Sequence, residues 1–138
     1  MKREDLNFFL QYCDRGEIKK VIKNIREKEN VEVVVPPDQV LLNIPVKDQV
    51  SDIIFYAGEV LFTQSYVKVN KVEGWSMVKD IDNKLSEYIA ILDSCFAQGI
   101  YVEEIKKLLK NGIDNYNLVI NKDRQIATST KVDFEIMV

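Results

Sequence analysis

Chemistry at neutral pH needs groups that can move protons, attack or hold ions, and this 138-residue chain has no histidine. Ser-His-Asp and Cys-His nucleophile systems are therefore excluded. Cys13 and Cys95 are far apart and no CxxC occurs, which removes most zinc sites as well. The phosphate-cradling patterns GxGxxG and GxxxxGK are absent.

Four features remain. Glu59 follows Gly58 at a strand junction and could serve as a general acid or base, though it has no positioned partner in the sequence. Gly58 most simply supplies a turn or bulge. Asp93 lies beside Leu92 and one turn after Ile89, so it is a candidate for a partly buried carboxylate. Such a group needs a partner or its pKa rises, and it can equally cap a neighbouring backbone. Lys19, Lys20, Lys23, Arg26 and Lys28 could face a phosphate or RNA, or simply water. Tyr56, Phe62, Tyr66 and Trp75 could form a stacking surface, or could be packing.

These groups are positioned by elements of two periodicities. Leu6, Phe9, Leu10 and Cys13 predict a helix over 3–13, broken at Asp14-Arg15-Gly16. Glu17 opens a second helix with Ile18, Val21, Ile22 and Ile25 on one stripe, giving a helical hairpin. Strand patterning then takes over: 31–35, ended by Pro36-Pro37; 40–46, an edge strand by virtue of Pro45; 53–57; and 60–69. A turn over 70–74 returns the chain as a strand at 75–78. Such short connections favour an antiparallel meander. After Asp80, Leu85, Ile89, Leu92 and Phe96 mark a helix capped by Asp80 or Asp82 and ended at Gly99. A further helix over 102–110 stops at Asn111-Gly112, the segment 114–130 permits a helix, and 132–138 reads as a terminal extended segment. The fold class is α+β, in a single domain over 1–138.

Composition agrees with a globular chain, with 46% hydrophobic and 30% charged residues, and a domain of 138 residues should bury roughly 68–70% of its unfolded surface. A net charge of −3 argues against a dedicated nucleic-acid binder. No apolar run approaches the ~20 residues of a membrane span. The two unpatterned cysteines and the absence of a signal-peptide core predict a cytoplasmic protein with reduced, structural thiols.

The order of short motifs is distinctive. Gly58-Glu59-Val60-Leu61-Phe62-Thr63 precedes Val67-Lys68-Val69, then Gly74-Trp75-Ser76-Met77-Val78, then Ala90-Ile91-Leu92-Asp93-Ser94, and finally Val132-Asp133-Phe134 with Met137-Val138. Cys13-Asp14-Arg15-Gly16-Glu17-Ile18 sits at the helix break. This series resembles the G subunit family (PhnG) of the carbon–phosphorus lyase core complex, over nearly the whole chain. The family pattern runs GE-x-L-x-T, V-x-L, G-x-x-x-V, A-x-x-D-A and VDF-x-x-MV. By that resemblance Gly58, Glu59, Thr63, Gly74, Asp93, Asp133 and Phe134 are structural or interface positions. Gln64, Lys79-Asp80 and Leu85 depart from what family members often carry.

The resemblance implies a protein that works with the H, I and L subunits, and with J and K, in phosphonate breakdown. Together these displace adenine from ATP with a phosphonate such as methylphosphonate, yielding a ribose 1-phosphonate 5-triphosphate. It assigns the nucleosidase chemistry to the I subunit and leaves this chain an accessory, inactive alone and binding no cofactor of its own, with ATP a substrate of the assembly. No nucleic acid and no membrane partner is implied. A stand-alone small-molecule binding domain using the Trp75 and Tyr66 face, or a nucleotide- or RNA-binding module using the basic face of 19–28, is the alternative.

Overall fold

The computed structural model describes the backbone of residues 3–47 and 54–137, and the side chains of 3–43 and 58–122. Two helices, α1 (Arg3–Leu10) and α2 (Arg15–Lys28), lead into strands β1 (Val31–Lys47), β2 (Ile54–Val69) and β3 (Val72–Lys79). Helices α3 (Asn83–Gln98) and α4 (Val102–Met137) complete the α+β fold. The sheet is an antiparallel meander in the order β1-β2-β3.

The expected hairpin starts earlier than the hydrophobic stripe indicated. Asp14 is the N-cap of α2 and accepts from the Gly16 N–H at 3.2 Å, so helix begins at Arg15 rather than Glu17. The first helix ends at Leu10, and Gln11, Tyr12 and Cys13 close a tight turn through bonds to Phe8, Phe9 and Leu10.

The prolines do not break β1. The register jumps between Val35 and Asp38, so Pro36-Pro37 is accommodated as an irregularity in one long strand. This works because β1 is an edge, where a missing N–H leaves no ladder bond unmade. Pro45 likewise sits at a register shift, across from the Gly58 region of β2. The β2–β3 connection is only Asn70-Lys71, both at positive φ (52° and 68°), the geometry of a type I′ turn. Gly74 therefore lies inside β3 and not in the turn.

Behind the sheet, α3 lays Leu85, Ile89 and Leu92 into a core shared with Val67, Val69 and Val78, with Leu6, Leu10, Ile18, Ile22 and Ile25 of the first two helices, and with Ile105, Leu108 and Leu109 of α4. Asp82 caps the start of α3, accepting from the Leu85 N–H at 3.2 Å. Gly99, at φ 78°, ends it in the left-handed conformation.

Two expectations about the C-terminal region are corrected. Asn111-Gly112 does not end a helix; α4 runs through it for 36 residues, about 54 Å long at the usual rise. Gly112 is where α4 crosses the end of α1: a Cβ there would stand 2.2 Å from the Phe9 carbonyl oxygen. Asn111 accepts from the Asp14 N–H at 3.0 Å, and Asn115 donates to the Tyr12 carbonyl at 2.9 Å. Residues that read as helix breakers are the ones that let two chain segments touch.

The expected extended segment at 132–138 is not extended over its described residues, 132–137. Helix continues to Met137, because a helix satisfies its own backbone groups while a terminal strand needs a neighbour. The side chains of Asp133 and Phe134, like that of Tyr56, lie outside the described residues.

Candidate functional site

Helix α1 runs along the free edge of β3, and side chains one turn apart on it and just past its end seal that edge. Asn7 donates to the Trp75 carbonyl at 3.0 Å and accepts from the Met77 N–H at 2.9 Å. Gln11 donates to the Met77 carbonyl at 3.3 Å and accepts from the Lys79 N–H at 3.0 Å. Arg3, one turn before Asn7, donates to the Glu73 carbonyl at 3.0 Å. An exposed edge would otherwise invite strand pairing; the i, i+4, i+8 spacing of these side chains replaces a fourth strand.

Asp93 completes this edge from the other side. It is only 2% exposed, yet three donors meet it: Arg3 Nε at 3.0 Å, Arg3 Nη2 at 2.7 Å and the Trp75 N–H at 3.0 Å. The paired geometry is bidentate, the strongest form of this interaction. The hydrogen bond to Asp93 holds the Arg3 pKa above its usual value. The sequence indicated a buried carboxylate at this position; the arginine 90 residues away was not singled out. The regular Arg3/Asn7/Gln11 spacing was the available signal.

Gly74 and Thr63 have mechanical roles. Gly74 presses against α3, where an added Cβ would meet the Ala90 carbonyl oxygen at 2.1 Å. Its neighbours on α3, Ala90 and Ser94, continue a buried row with Ser86 at a spacing of four, and these small residues let helix and sheet come close. Thr63 Oγ1 donates to the Asp80 carbonyl at 2.6 Å and accepts from the Asp82 N–H at 3.1 Å, fixing the turn that launches α3. Gly58 and Glu59 are exposed on β2, and nothing lies within 4 Å of a Cβ built on Gly58.

A buried hydroxyl cluster went unremarked in the sequence. Ser86 Oγ lies 2.8 Å from Ser65 Oγ and 2.9 Å from Ser76 Oγ, and Ser76 Oγ donates to the Ser86 carbonyl at 2.5 Å. Ser65 and Ser76 alternate with Val67 and Val78 on the inward face, so pattern alone marks them as core. No base touches these hydroxyls among the described contacts. Their bonds lock α3 to the sheet. Among the described residues no buried side-chain nitrogen or oxygen lacks a partner.

On the other sheet face, Tyr66 and Trp75 stand opposite each other across β2 and β3. They form a common wall of two adjoining clefts of about 240 and 210 Å³; the first also includes Arg3, Glu4 and Glu73. The basic face of α2 has its own shallow groove, but Arg26 there is occupied, paired with Glu87 at 2.9 Å and stacked over Tyr88. Lys20 pairs with Glu17, and Arg15 with Asp82.

Both thiols are free and buried. Burial, then the negative charges of Asp14 and Glu17, pushes Cys13 up to about 11; burial, then Glu29, pushes Cys95 up to about 12. Neither is a poised nucleophile. Labelling of the native protein by a thiol reagent at pH 8 should be at least tenfold slower than in urea; equal rates would contradict this burial. Linkage gives the sign of the pH effect. Unfolded thiols release protons near pH 9 and folded ones later, so stability is complete below about 9 and declines as pH rises toward 11–12.

Among the described residues no cluster of three His, Cys, Asp or Glu side chains could hold a metal ion, and no helix is long and apolar enough to cross a membrane. In comparisons with known proteins, a family model described as phosphonate metabolism protein PhnG matches residues 1–138. No curated protein matches the chain.

Proposed function

The chain belongs to the PhnG family of phosphonate metabolism proteins, and from that premise we propose that it is a non-catalytic subunit of the cytoplasmic carbon–phosphorus lyase system. In this reading it supports the H, I and L subunits, alongside J and K, as a phosphonate displaces adenine from ribose C1 of ATP. The transferase chemistry belongs to the assembly, and ATP is bound there rather than by this chain alone.

One observation carries the subunit reading. Pairing of β2 with β3 ends at Phe62–Lys79, while β1 and β2 continue together to Lys47 and Ile54. The outer part of that hairpin is therefore a two-stranded ribbon, and such ribbons are marginal alone in water. Leu41 and Leu42 are consecutive on it, so they point to opposite faces, and they are 62% and 39% exposed. Apolar side chains on both faces of a ribbon with no third strand suit burial against another protein. Helix α4 supports the same reading: Leu118 and Val119, beyond its contacts with α1, are exposed. The chain's buried polar groups, by contrast, are spent on holding α1, α3 and the sheet together.

Co-expression with the H, I and L subunits tests this. The wild-type chain should co-purify with them, and adenine should be released from ATP plus methylphosphonate only by the assembly. Leu41→Ser/Leu42→Ser should keep its circular dichroism yet reduce co-purification at least tenfold. Adenine release by the purified chain alone, lost on mutating it, would overturn the proposal.

A further inference from the structure

The cleft beside Arg3 has a composition that selects a ligand charge. Its lining carries one positive group, Arg3, and three negative ones, Glu4, Glu73 and Asp93. The positive charge is already matched by Asp93. Neither Glu4 nor Glu73 takes part in an ion pair among the described residues. Lys68 stands across from Glu73 on β2, but Glu32 of β1 stands on its other side. The Glu73 carboxylate pushes the Tyr66 phenol's pKa up, and the two side chains line the same cleft.

The wall itself is Trp75, 40% exposed, with Tyr66 beside it and Val35 continuing it across the second cleft. Aromatic faces attract ammonium and guanidinium groups electrostatically, most strongly for tryptophan. Unmatched carboxylates at one end and an aromatic and aliphatic wall at the other fit a side chain with a cationic head and an apolar stem. The charged cleft by itself, about 240 Å³, is smaller than the ~300 Å³ at which small-molecule pockets begin, so it suits a single side chain better than a free metabolite. A half-exposed tryptophan with an acidic rim is instead the composition of an interface anchor point.

We propose that the Glu4/Glu73/Trp75/Tyr66 cleft receives an arginine or lysine side chain from a protein partner. This rests on the subunit reading and names the chemistry of one contact within it.

Trp75 is the single tryptophan of the chain, so its fluorescence reports on the cleft directly. The full-length protein is titrated with the capped tripeptides Gly-Arg-Gly, Gly-Lys-Gly, Gly-Gln-Gly and Gly-Glu-Gly. Saturable quenching or shift is expected with the arginine and lysine peptides only, weakened at least fivefold in Glu4→Gln/Glu73→Gln and by 0.5 M salt. Both substituted residues are charged rim groups, and unchanged circular dichroism checks that the variant is folded. No saturable response to the basic peptides, or an equal response to the glutamine peptide, overturns the proposal. Co-purification of Glu4→Gln/Glu73→Gln with the H, I and L subunits separates the two readings. Reduced capture supports the basic contact. Full capture overturns it and leaves the subunit reading standing. If even the wild-type chain is not captured, the subunit reading fails and the proposed partner with it, while the titration still decides the cleft's charge selectivity.

Discussion

Replacing Gly74 by alanine should destabilise the protein by about 3 kcal/mol, the upper end of what overpacking a tight interior costs. The new Cβ would stand 2.1 Å from the Ala90 carbonyl oxygen, 2.7 Å from Ser94 Cβ and 2.8 Å from the Ser94 nitrogen. Two of these are backbone atoms of a regular helix, so no side-chain rotation relieves the clash. Helix α3 must lift from β3. That movement strains the Ser94 bond to the Val72 carbonyl, 2.6 Å, and the Asp93 bond to the Trp75 N–H, 3.0 Å. Urea unfolding should show a lower midpoint with an unchanged slope. Gly58→Ala is the control, because nothing lies within 4 Å of its Cβ, and its effect should stay within about 0.5 kcal/mol. Similar midpoints for the two variants would contradict the close approach of α3 to the sheet.

Asp93→Ala should cost about 2–3 kcal/mol, because the Trp75 N–H and the Arg3 guanidinium lose their shared acceptor. The loss should fall short of that for a fully buried pair: Arg3 is 54% exposed and can turn to water. Arg3→Ala should therefore be milder than Asp93→Ala, and Asp93→Asn intermediate, since the amide oxygen keeps one acceptor. The double variant Arg3→Ala/Asp93→Ala should be less destabilised than the sum of the single changes, as expected for groups in contact. Strict additivity would mean that the Arg3–Asp93 pair contributes nothing, and the sealed β3 edge would then rest on Asn7 and Gln11 alone.

Much of the architecture follows from local pattern. The 3.6-residue stripes of α1, α2 and α3, the alternation along β2 and β3, the Asp82 cap and the Gly99 stop are decided by nearby residues, and the structure has them. The antiparallel meander also follows, since two residues between β2 and β3 leave no room for a crossover. The missing histidine and phosphate-loop motifs, and the family to which the chain belongs, are properties of the sequence by itself.

What tertiary structure decided is the meaning of residues with two local readings. Gly112 and Asn111 carry weak helix propensity and read as a stop, but α4 passes through them because Gly112 admits the Phe9 carbonyl and Asn111 bonds to the Asp14 backbone. Pro36-Pro37 and Pro45 would end a central strand and are tolerated in β1 because it lies at a sheet edge. The alternating Val132, Phe134, Ile136 and Val138 suggested a strand, but Val132 and Ile136 are also four apart, and without a neighbouring strand the backbone there is helical to Met137. The site shows the same division. Asp93 stood out because it interrupts an apolar stripe, a local irregularity. Arg3, Asn7 and Gln11 did not, because their partners are backbone groups of β3 some 66–70 residues away, and only folding brings those unpaired donors and acceptors to the helix.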